Sequence, residues 1–153
     1  MFLEGLVLPI RAVQAVFTII VLGLTAYVVD SYWWGWSPDS VNFMLFTSVW
    51  TILALAYLLL APTRFPAAAH KWAIAGVEGV TCIFWFAAWV AMATLWSRIR
   101  CGSAGGPCGA GTAAIVFGAF TWLAFVATTI ISALHINRTS RSDNSAPPQM
   151  QGV

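Results

Sequence analysis

Four long apolar stretches decide what this chain can fold into. They cover residues 6–29, 41–60, 72–96 and 112–136. At 1.5 Å of rise per residue, each crosses about 30 Å of hydrocarbon as an α-helix. Inside a bilayer the backbone must satisfy its own polar groups, which a helix does without help from a neighbour. Glu78 is the one carboxylate in the third stretch, and the fourth has no Asp, Glu, Lys or Arg. A buried helix of a water-soluble protein would need neighbours with polar faces, and this sequence offers none. Charged residues make up 8% of the chain, against about 25% in ordinary soluble domains. The expected fold is therefore all-α: an integral membrane four-helix bundle over residues 1–136, with a disordered tail over 137–153. The connections leave no space for a separate catalytic domain. The net charge of +2 comes from scattered residues and gives no basis for a nucleic-acid partner.

The first stretch is too long for a typical signal-peptide core. Arg11 and Gln14 interrupt its start, and no A-x-A site follows. It is read as a helix of the mature protein.

Orientation follows from Lys and Arg. With the N-terminus in the cytoplasm, the inner side holds Arg11, Arg64, Lys71, Arg138 and Arg141, and the outer side only Arg98 and Arg100. Both termini are then cytoplasmic. Cys101 and Cys108 fall in the second outer loop, `RIRCGSAGGPCGAG`, separated only by Gly, Ser, Ala and Pro. Two free thiols are one reading. The outer placement favours a disulfide, because that bond persists outside the cell. Cys82, within the third span, reads as a small packing residue. The sequon Asn137-Arg138-Thr139 would be cytoplasmic and unglycosylated.

In the first outer loop Tyr32, Trp33, Trp34 and Trp36 form an aromatic belt at headgroup level. The inner loop, with Arg64, His70 and Lys71, and the tail, with Arg138 and Arg141, offer cations to anionic lipids of the inner leaflet. Phosphate on Ser140, Ser142 or Ser145 would weaken that attraction; a tail that stays unmodified under all conditions counts against this.

Two ionisable groups lie inside spans, Arg11 and Glu78. Each is about 18 or 19 residues from the outer end of its helix, so both reach a similar depth in the inner leaflet. Pairing spares either charge from standing alone in a low dielectric. Gln14, one turn deeper, reaches the same carboxylate. The pairing predicts that spans one and three adjoin. A proton relay would need further titratable groups along the spans, and the outer halves have none. Small residues supply a second packing signal: Ala75 and Gly79 in span three, and Ala110, Ala114 and Gly118 at the start of span four.

No HExxH, nucleophile elbow, P-loop or CxxC is present. His70 and His135 both lie near the inner face, but two histidines at helix ends are a poor haem pair. The expectation is no enzyme, no metal and no cofactor apart from bound lipids or sterols.

Four spans with short loops, an Arg in span one, an acid in span three and a cysteine pair in the second outer loop resemble the MARVEL-domain proteins. The stretches `LPIRAVQAVFTIIVLGLTAY`, `SVNFMLFTSVWTILALAYLL` and `FWFAAWVAMATL` look like the fungal branch, which includes eisosome-associated, non-classical-export-like proteins. The resemblance extends to about Ile136. It implies that Arg11 and Glu78 occupy the family's basic and acidic positions, the acid more often being Asp in relatives. Claudins place their cysteine pair in a longer first outer loop, and tetraspanins have a larger second one. The resemblance further implies a scaffold that organises plasma-membrane microdomains, with lipids, itself or a larger membrane protein as partners. The rival functions are an accessory subunit of a membrane enzyme or transporter, and a small oligomeric channel.

Overall fold

A computed structural model describes residues 2–31, 37–64, 71–99 and 106–145. They form four helices: α1 (Phe2–Asp30), α2 (Asp39–Arg64), α3 (Lys71–Ile99) and α4 (Gly106–Ser145). Each contains a segment long and apolar enough to span a membrane: Gly5–Asp30, Asp39–Ala61, Trp72–Ile99 and Pro107–Arg138. The chain is a multi-pass membrane protein with four spans.

Local chemistry sets the helix ends. At the end of α1 the Ser31 amide donates to the carbonyls of Tyr27 and Val28, at 3.1 and 3.2 Å. Pro38 starts α2, its carbonyl accepting from the amides of Val41 and Asn42 at 3.0 and 3.1 Å. Asp39 lies in the first turn of α2, Arg64 in its last, and Arg98 in the last turn of α3. Each charge opposes the helix dipole at its end.

The helices form a ring in chain order. α1 packs against α2 and α4, and α3 packs against the same two. α1 and α3 therefore lie on a diagonal, which corrects the expectation that they adjoin. With four helices, both ends of the chain emerge at one end of the bundle, called here the terminal end. The opposite end, called the far end, carries the α1–α2 and α3–α4 connections.

The interior is more polar than the outside. Buried positions on α1 are Arg11, Gln14, Thr18, Val21, Thr25 and Val28, and on α3 Glu78, Thr81, Trp85, Ala88, Met92 and Trp96. Both runs keep the three- and four-residue spacing of one helix face. Facing outward are Val16, Ile19, Leu53, Ile83, Phe120 and Ile130. Lipid solvates those side chains as well as a core would, so association rests on packing and interhelical hydrogen bonds.

α4 runs through Ser145, so residues 137–145, expected to be disordered, are helical. Extending an existing helix costs little compared with starting one. Residues 146–153 lie outside the described residues.

Candidate functional site

The polar centre lies in the terminal half. Glu78 is fully buried and Arg11 is 6% exposed. They form an ion pair between Arg11 Nη1 and Glu78 Oε1. Because α1 and α3 are diagonal, the pair passes through the bundle axis. Arg and Glu are long enough side chains to bridge helices whose backbones stay apart. Arg11 Nη1 also donates to Gln14 Oε1 at 3.1 Å. Gln14 Nε2 then donates to Thr128 Oγ1 at 3.1 Å. One connected network thus links α3, α1 and α4. Among the described residues Glu78 Oε2 meets no hydrogen-bond donor. Breaking a buried pair by removing one partner costs more than the pair itself contributes, because a lone charge remains.

Around this centre, buried threonines act as acceptors. Trp85 Nε1 donates to Thr51 Oγ1 at 2.9 Å, joining α3 to α2. Trp50 Nε1 donates to Thr81 Oγ1 at 3.1 Å, joining α2 to α3. Each threonine returns its own proton to its helix: Thr51 to the Thr47 carbonyl at 2.6 Å and Thr81 to the Val77 carbonyl at 2.7 Å. Thr18, Thr25 and Thr121 make the same back-bond. A hydroxyl used this way is satisfied locally and keeps a lone pair for a neighbour.

The far half is held by shape. Trp96 lies over Gly111, where a Cβ would fall inside the indole ring. Trp96 Nε1 donates to the Cys108 carbonyl at 3.1 Å. At Gly118 a Cβ would lie 2.8 Å from Met44 Cε and 3.4 Å from Trp89 Cβ. Ala114, Met44 and Met92 are fully buried between these contacts.

The sequence pattern of the MARVEL family, a membrane-associating domain, matches residues 3–131. The chain belongs to the MARVEL family. No curated protein and no solved structure matches it. MARVEL proteins are non-enzymatic membrane proteins, and the Arg11–Glu78 network lies within the matched region.

Within the MARVEL domain the structure brings together Arg11, Glu78 and Gln14, it sets Gly118 in a close helix contact, and it buries Ala114 fully. Gln14 meets Arg11 and Thr128 rather than the carboxylate it was expected to reach. Ala110 packs against the core as a half-buried residue. Gly79 departs from the expectation: a Cβ there would meet nothing within 4 Å, so its small size brings no helix close. Ala75 is half-buried. Gly111 and Trp96, a pair absent from the sequence reading, make a close contact across the α3–α4 seam. A glycine facing a tryptophan across a loop was the available signal.

Cys82 is a free thiol packed against the core. Cys101 lies outside the described residues, as do Tyr32, Trp33, Trp34, Trp36 and His70. The side chains of Lys71 and Arg141 also lie outside them. Arg64 and Arg138 are exposed at the terminal end, and His135 is exposed on α4 near them.

Proposed function

We propose that this MARVEL protein is a scaffold that associates laterally with lipids and membrane proteins and so organises microdomains of the plasma membrane. The family carries a general role in membrane organisation. The observation that supports the finer reading is where the polar groups go. The network of Arg11, Glu78, Gln14 and Thr128 is spent on joining helices inside the bundle. What faces outward is apolar surface suited to lipids and other spans.

The reading includes several parts taken from the sequence. Both termini are cytoplasmic, so Arg64, Lys71, His70, Arg138 and Arg141 meet anionic lipids of the inner leaflet. The family branch is the fungal, eisosome-associated one. Cys101 and Cys108 close the second outer loop. In support of that closure, Cys82 is a free cysteine among the described residues and Cys108 is not. Alkylation without reductant is expected to modify Cys82 alone; modification of all three cysteines removes the disulfide from the proposal.

An oligomeric channel would set its pore between bundles, where the large outward side chains are apolar, and the interior of a single bundle is closed as well. The axis is crossed by the ion pair and filled by Trp85, Phe125 and Met44, and the threonine hydroxyls there point back to their own helices. Purification in native-membrane discs with mass spectrometry of bound lipids and proteins tests the proposal. Retained lipid together with self-association or several membrane-protein partners supports a scaffold. One stoichiometric partner indicates an accessory subunit. A lone monomer without lipid overturns the scaffold reading.

A further inference from the structure

On the outer side of the α1–α4 seam, in the terminal half, lies an open groove of about 350 Å³. Leu6, Pro9, Ile10 and Val13 form one wall, and Ala124 and Ala127 the other. The α1 residues follow the spacing of one helix face, turned away from the face that buries Arg11 and Gln14. The two alanines are too short to fill the space between the helices. All six residues are inside candidate spans, which excludes a water-soluble ligand.

Pro9 adds a polar mark at the rim. It has no amide hydrogen, so the carbonyl of Gly5 loses its normal helical donor. Gly5 is exposed, and its Cβ position is open. The groove therefore has hydrocarbon walls, and the freed Gly5 carbonyl, at the end that faces the membrane surface, is left to interfacial water rather than to the occupant.

A helix of a second copy does not suit it. Leu6 to Val13 covers about 10 Å of helix axis, against about 30 Å along which a spanning helix is in hydrocarbon. The wall that remains exposed is far below the roughly 1,000 Å² of a stable protein interface. A single flexible chain meets the shape and the apolar lining. We infer that this groove holds one acyl chain of a glycerolipid from the leaflet at the terminal end. The inference rests on the lipid-associating reading above and gives it a location.

The test uses the full chain in phosphatidylcholine vesicles containing a phosphatidylcholine with a photoreactive acyl chain, with adducts mapped by mass spectrometry. Ile83, 66% exposed on α3, serves as an ordinary lipid-facing reference. Adducts on Leu6, Ile10 and Val13 are expected to exceed the reference by about five-fold after scaling for exposure, the order that about five to ten extra carbon–carbon contacts supply. Ala127→Phe, which fills the groove, is expected to bring them to the reference level. Ala133→Phe, on an exposed face outside the groove, is expected to leave them unchanged. Adducts spread in proportion to exposure in the wild-type chain overturn the inference without any variant having to fold. So does preferential labelling of the groove by a photoreactive sterol when both probes are present. Either result leaves the scaffold reading standing, since that fails on the purified protein instead, as a lone monomer without lipid or as a complex with one stoichiometric partner.

Discussion

In the terminal half, Arg11, Glu78, Gln14 and Thr128 meet through charge and directed hydrogen bonds. In the far half, Trp96 lies over Gly111, while Met44 and Trp89 close around Gly118. Both halves solve the same problem. In a bilayer, apolar side chains gain nothing by leaving lipid for a neighbouring helix. One half solves it with groups that lipid cannot satisfy, and the other with surfaces that fit more closely than lipid chains do. Polar groups specify partners by identity, so they tolerate little substitution. Shape contacts specify partners by volume, so they tolerate change when the opposite residue changes too.

This contrast is open to attack in order of expected effect. Glu78→Ala leaves Arg11 charged and unpaired, and a loss of about 3–5 kcal/mol is expected in denaturant titration of the detergent-solubilised bundle. The double variant Arg11→Leu, Glu78→Leu is expected to recover most of that loss. A double variant as unstable as the single one would mean that the pair does not dominate its half. Gly111→Leu drives a side chain into the Trp96 ring, with a cost of about 1–3 kcal/mol from overpacking. Trp96→Ala in the same chain should relieve it, as volume complementarity requires. If relief is absent, the far half is not held by this contact.

Thr51→Val removes the acceptor for Trp85 Nε1 while keeping the volume. The expected loss is about 1 kcal/mol, within the range of interhelical hydrogen bonds in membranes. Thr51→Ser should keep most of the stability, which separates the hydrogen bond from packing. The smallest effect is expected one turn along α3. Trp89 Nε1 is buried without a hydrogen-bond partner among the described residues. Trp89→Phe removes that donor and should change stability by no more than about 0.5 kcal/mol or raise it slightly. A loss as large as that of Thr51→Val would show that the Trp89 indole has a partner after all.

The spans were legible because unbroken apolar length, in a chain so poor in charge, suits lipid and little else. Arg11 and Glu78 were legible as partners because each lies a similar distance from its helix end. Their diagonal placement was not, because the order of helices around a ring depends on packing between helices and loop paths, which hydropathy does not encode. The threonine acceptors were missed for a related reason. Thr51, Thr81 and Thr128 are only weakly polar on a hydropathy scale, and nothing local shows that they face inward. Gly79 and Gly118 look alike in sequence, yet only Gly118 faces a helix near enough to use its small size. The helical continuation to Ser145 ran against composition, since polar residues at a helix end read as disorder until the preceding helix is known to support them.

Four rods joined only along the sides of a square can slide into a rhombus without breaking a side. A tie between opposite corners removes that freedom. Arg11 and Glu78 form such a tie, because they join helices whose backbones do not otherwise approach each other. Lateral pressure in a membrane rises and falls with lipid composition, and an untied bundle would skew in response. This one should hold its cross-section, and so present the same outer surface to its neighbours from one lipid environment to the next.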